Sequence, residues 1–136
     1  MAAPVALSQI AQIAVPVKDL ARATAFYRDT LGMKFLFEAP PALAFFDCAG
    51  VRLMLDKPEE AEEGRDEEAD FDRASSIIYY KVADITAAHA ALQSAGVKFD
   101  STPHLIARLP THDIWMAFFR DTEQNLLALT SEVPRN

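Results

Sequence analysis

The chain has 136 residues, 51% of them hydrophobic, with 13 basic and 20 acidic side chains. That is one domain's worth of protein, able to hide roughly two-thirds of its unfolded surface, and the apolar fraction excludes global disorder. The net charge of −7 is local, because residues 56–73 hold ten acidic and three basic side chains and the rest of the chain holds ten of each. No basic stripe suits nucleic acid. No run approaches the roughly 18 apolar residues of a membrane span, and no basic-headed secretory leader is evident, so the expected location is the cytoplasm. The single cysteine, Cys48, excludes an intrachain disulfide and reads as a buried structural thiol.

Residues 1–8 read as a loose arm. From 9 to 17 the chain alternates, with Ile13, Val15 and Val17 on one side and Gln12 and Ala14 on the other, as a half-buried strand does. Pro16 predicts an edge position or a strand end. Asp19 is placed to cap a helix whose buried stripe is Leu20, Ala23, Tyr27 and Leu31, and Gly32 stands where that helix should stop. Strands are expected at 34–38, 43–47 and 51–56, with turns at Pro40-Pro41 and Ala49-Gly50. In the last of these, Val51, Leu53 and Leu55 share one face, and Arg52, Met54 and Asp56 the other.

Residues 57–74 break the composition. They are rich in glutamate with only Phe71 as a large apolar group, so a solvated linker is expected. A second strand–helix pattern then begins at Ser75. Ile78, Tyr80 and Val82 alternate with Ile77, Tyr79 and Lys81. Asp84 caps a helix striped with Ile85, Ala88, Leu92 and Ala95, with His89 partly exposed in its middle and Gly96 at its end. Further strands are expected at 97–100, about 104–109, 114–120 and 125–130. The strand carrying Trp115, Met116, Phe118 and Phe119 is apolar throughout and is expected to be buried on both faces. Residues 121–125 form its turn.

The two halves repeat one another. Val17-Lys18-Asp19-Leu20 matches Val82-Ala83-Asp84-Ile85, and Leu31-Gly32-Met33-Lys34-Phe35 matches Ala95-Gly96-Val97-Lys98-Phe99, at offsets of 65 and 64. The expectation is a single α+β domain of two βαβββ modules, 8–56 and 75–132. They should form a curved open sheet around a cleft, with the helices outside. Strand parity sends Gln12, Ala14, Arg52, Met54, Asp56, Ile77, Tyr79, Leu126, Ala128 and Thr130 toward that cleft.

These motifs, together with Ala25-Phe26-Tyr27, Phe118-Phe119-Arg120-Asp121 and Asn125-Leu126-Leu127-Ala128-Leu129, resemble the vicinal oxygen chelate superfamily. That is the glyoxalase, bleomycin-resistance and extradiol-dioxygenase group, and the likeness spans roughly residues 8 to 132. The resemblance implies small-molecule work, a homodimer and, in its metalloenzymes, four donors of the His, Gln or Glu kind. Those positions fall here on Gln12, Met54, Ile77 and Ala128. Three of the four cannot donate to a hard cation. The reading is therefore a binder with no metal or cofactor, taking an apolar or aromatic ligand with Gln12, Arg52, Met54, Ile77, Tyr79, Trp115, Phe118 and Ala128. Two alternatives stay open. One is an enzyme, either a lyase, isomerase or dioxygenase using unusual metal ligands such as His104, His112 and Asp113, or a metal-free catalyst with a histidine or Asp56 as base. The other is an interaction module working through the acidic residues 57–72. Neither the ligand nor any catalytic residue can be read from these residues.

Overall fold

The computed structural model describes residue 8 and residues 10–58 and 76–135. The expected acidic linker lies almost wholly outside the described residues. The chain divides into two compact units, Met1–Pro58 and Glu59–Asn136. Each is α+β and follows one plan.

In the first unit, strand β1 (Gln12–Pro16) leads to helix α1 (Leu20–Ala25), which widens into a π-helical turn over Phe26–Thr30. The widening is visible in the bond from the Leu31 N–H to the Phe26 carbonyl, five residues back, and the Met33 N–H then closes the end of the helix on the Tyr27 carbonyl, both at 2.9 Å. Asp19 caps α1 by accepting from the Arg22 N–H at 3.0 Å. Strands β2 (Lys34–Ala39), β3 (Leu43–Cys48) and β4 (Val51–Asp56) follow. The sheet order is β1-β4-β3-β2, with β1 parallel to β4 and the remaining pairs antiparallel. Pro16 is the last residue of an edge strand, where its missing N–H disrupts little of the ladder.

The helix-covered face holds the core: Val15, Phe46, Leu53 and Leu55 lie under Ala23 and Tyr27, all buried. The Tyr27 and Phe46 rings are 6.0 Å apart, and those of Phe35 and Phe46 5.6 Å. Burying such side chains is worth about 1.5–3 kcal/mol each, so strand parity is set by this face. Cys48, expected buried, is half-buried and free, because it sits at the β3 end beside the turn.

The second unit repeats the plan with β5 (Ile78–Lys81), α2 (Ile85–Ser94), β6 (His104–Arg108), β7 (His112–Arg120) and β8 (Leu126–Pro134). Its order, β5-β8-β7-β6, is that of the first sheet. Asp84 caps α2 through the Ala87 N–H at 3.0 Å, with backbone angles within a few degrees of those at Asp19. At the other end the Val97 N–H reaches the Leu92 carbonyl and the Gly96 N–H the Gln93 carbonyl, a paired closure that needs the left-handed φ of +97° at Gly96.

Three expectations change here. Residues 97–100 form no strand, only a bridge between Phe99 and Phe119. His89 is buried rather than partly exposed, its ring 4.3 Å from that of Phe99. It follows Ile85 at i+4 and so falls in the middle of the stripe that meets the sheet. β7 is not buried on both faces: Ala117 and Phe119 are buried, whereas Trp115, Met116 and Phe118 are half-buried.

The β7–β8 turn is built by one carboxylate. Asp121 Oδ1 accepts from the backbone N–H groups of Glu123 and Asn125, and Oδ2 from Asn125 Nδ2, each at 2.8 Å. The result is an unbroken register from His112 opposite Pro134 to Arg120 opposite Leu126. This register decides which β7 and β8 side chains share a face.

Candidate functional site

Among the described residues, each sheet has one face packed against its own helix and one facing away from it, called helix-free below. On the helix-free face of the first sheet the register produces three rows. Lys34, Asp47, Arg52 and Gln12 form the first; Phe37, Phe45, Met54 and Ala14 the second; Ala39, Leu43, Asp56 and Pro16 the third. The first row is polar, the second apolar, and the third carries a single carboxylate.

The contacts within this face are specific. Gln12 Nε2 donates to Met54 Sδ at 3.7 Å, a long bond to a weak acceptor. The Arg52 guanidinium lies 5.9 Å from the centre of the Phe45 ring. The Phe37 ring stacks on Phe45 with centroids 4.7 Å apart, and Phe37 remains 48% exposed. Phe37 reaches this face because β2 carries a bulge at Leu36. The bulge pairs Phe35 with Phe46 toward the helix and Phe37 with Phe45 away from it.

On the second sheet the corresponding rows are Tyr79, Ala128 and Phe118, then Lys81, Thr130, Met116 and His104. The Tyr79 and Phe118 rings approach edge to face at 6.1 Å. Their strands flank β8, and strands lie about 4.8 Å apart, so the two side chains lean toward each other over Ala128. Ala128 is 0% exposed. His104 sits 6.4 Å from Phe118, ring to ring. Its Nδ1 is 3.0 Å from the Thr102 carbonyl. A carbonyl only accepts, so Nδ1 carries the proton and Nε2 the lone pair in the neutral ring. β6 has its own bulge at Ile106, the counterpart of the one at Leu36.

The sequence-derived residues therefore divide. Gln12, Arg52 and Met54 gather on the helix-free face of the first sheet; Tyr79, Phe118 and Ala128 gather on that of the second. Ile77 precedes β5 by one residue and is half-buried. Trp115 does not join them. It stands opposite Ser131 in the uninterrupted register and shares parity with Ala117 and Phe119, so it belongs to the helix side. The same alternation separates His112 from Asp113. His112 Nδ1 lies 2.9 Å from Thr111 Oγ1, whereas Asp113 pairs with Arg135 at 3.6 Å. The two do not form a joint donor pair on one face. Phe37, Phe45 and Met116 stand on these faces although the sequence reading does not place them in the site, and His104, read there only as an unusual metal ligand, joins the second face. Residues 43–46 are apolar throughout, so Phe45 is assigned only by its pairing with Met54, and nothing in the sequence marks the bulge that turns Phe37.

The metal positions implied by the resemblance hold one amide, one thioether and two hydrocarbon side chains: Gln12, Met54, Ile77 and Ala128. This set does not fit a hard divalent cation, which asks for several oxygen or imidazole donors. Among the described residues, no three His, Cys, Asp or Glu side chains gather as a metal-binding group. No helix among them is long and apolar enough to cross a membrane.

A sequence model of the Glyoxalase/Bleomycin resistance protein/Dioxygenase superfamily matches residues 9–129. No curated protein matches the chain. Among solved structures, a member of the same superfamily from Sphaerobacter thermophilus DSM 20745 is 22% identical with a TM-score of 0.72, over 93% of this chain and 98% of that one. TnmS3, an antibiotic binding protein from Streptomyces sp. CB03234, is 24% identical with a TM-score of 0.67, over 94% and 98% of the two chains. Lactoylglutathione lyase from Agrobacterium tumefaciens is 20% identical with a TM-score of 0.67, over 91% and 93%. At these identities the likeness is one of fold.

Proposed function

Since the chain belongs to the glyoxalase/bleomycin resistance protein/dioxygenase superfamily, we propose that it is a small-molecule binding protein that works without a metal. It takes an apolar or aromatic ligand on the helix-free sheet faces. The observation that carries this is the Tyr79–Ala128–Phe118 row, where two rings meet over a methyl group at a position the resemblance assigns to a metal donor. Met54, at the matching place in the first sheet, lies in the apolar row with Phe45 and Phe37. Covering roughly 200–300 Å² of ligand apolar surface is worth about 5–8 kcal/mol before the entropic cost of binding. The structural neighbour described as an antibiotic binding protein supports the small-molecule part of this reading.

A thermal-shift screen of fused-ring aromatic compounds, antibiotics included, in the presence of EDTA tests the reading. It expects a subset to raise the melting temperature; a flat response across the set counts against it. The proposal extends to a cytoplasmic homodimer, and light scattering that returns a monomer mass refutes that part.

One observation favours a second reading, metal-free acid–base catalysis. With Nδ1 donating to Thr102, His104 presents its basic Nε2 beside the Phe118 ring. Under that reading His104→Gln abolishes turnover of a bound compound; under the first there is no turnover to lose.

A further inference from the structure

We infer that the ligand of the first sheet's helix-free face is a planar aromatic anion whose charge is met by Arg52; this rests on the small-molecule reading above. Three features point to it. The first is the state of Arg52. Arg28, Arg120 and Arg135 each face a carboxylate, at 2.9, 3.9 and 3.6 Å. Arg52 is exposed and makes a cation–π contact with Phe45, with no carboxylate in ion-pair range among the described residues. Its cross-strand neighbour Asp47 instead accepts from the Gly50 N–H at 3.2 Å, serving the β3–β4 turn. The guanidinium fork thus keeps its donors for an incoming planar acceptor.

The second feature is the apolar row beside it. Phe37, Phe45 and Met54 lie on three consecutive strands and so span about 10 Å, enough for two fused rings. Half the Phe37 surface is open, and the ring is already held in a stacked pose by Phe45. A second flat ring can therefore pack there with little loss of side-chain freedom.

The third is charge order across the face. Arg52, Gln12 and Lys34 stand in the row on one side of the apolar strip, where Asp47 is the one acid. On the other side stands Asp56. An anion is drawn to the Arg52 end and repelled from the Asp56 end, which orients the ligand as well as attracting it.

The test is calorimetric titration with a matched pair, naphthoate and naphthamide, which share size and shape and differ in charge. Wild type is expected to bind the acid about tenfold more tightly than the amide, a preference of about 1.4 kcal/mol. Raising the salt concentration should narrow that margin. Arg52→Gln should bring the two ligands to within about twofold of each other. Because Arg52 is exposed, this variant should keep the wild-type melting temperature. If the amide binds wild type as tightly as the acid, or if Arg52→Gln keeps the preference, the inference fails and the small-molecule reading stands. If neither compound binds, the inference fails, and the thermal-shift screen decides the small-molecule reading separately.

Discussion

Gln12 points its amide N–H at the sulfur of Met54, 3.7 Å away. These are the two first-unit positions that the resemblance assigns to metal donors, and here they are occupied with each other. A thioether is soft and uncharged, and a single amide oxygen does not compete with water for a hard cation. Adding Mg, Ni or Zn ions to EDTA-treated protein should therefore leave its melting temperature unchanged. A site filled at a hundred times its dissociation constant would add about 2.7 kcal/mol, which is readily seen. A clear upward shift with any of these ions contradicts the assignment.

Trp115 and Phe118 give opposite results when altered. Phe118 shares the helix-free face with Tyr79, and Trp115 lies on the other side of β7. Phe118→Ala should weaken an aromatic ligand by about tenfold, the loss of one edge-to-face contact and its buried area. Trp115→Phe should leave affinity within about twofold and show its effect in stability alone. Titrations of both variants with the same ligand check this, and a reversed order refutes the face assignment.

Ala49 holds a left-handed φ of +51°, followed by Gly50 at +91°, in the two-residue link between Cys48 and Val51. Both positions of such a turn require positive φ, and asparagine tolerates the first far better than alanine. Ala49→Asn should stabilise the protein by about 0.5–1 kcal/mol in urea unfolding. An unchanged or lower midpoint argues against this turn geometry.

His89 is 8% exposed, and its Nε2 is buried with no hydrogen-bond partner. A stranded buried nitrogen costs about 1–3 kcal/mol. His89→Leu, of similar volume and able to pack on Phe99, should raise stability by about 1 kcal/mol in the same measurement. A loss of stability shows that the imidazole has a role the packing does not reveal.

Much of this architecture was legible from strand parity and from the repeated aspartate–helix–glycine grammar. Asp19 and Asp84 cap their helices with nearly the same backbone angles, and β4 splits its side chains between Leu53 and Leu55 on one face and Arg52 and Met54 on the other. Parity fails where the sequence does not alternate or where the ladder slips. The run from Trp115 to Phe119 is apolar at every position, so its faces come only from pairing with β8. The bulges at Leu36 and Ile106 move the side chains around them without leaving a mark such as glycine. His89 shares the face of Ile85 by its i+4 spacing, a sign that outweighs the usual exposure of a histidine in an alanine-rich helix.

The most direct measurement is isothermal titration of the metal-stripped protein, in EDTA, with a fused-ring aromatic ligand drawn from the thermal-shift screen. The account predicts saturable binding whose affinity does not change when a divalent cation replaces the chelator. Binding that appears only once the cation is supplied would contradict it.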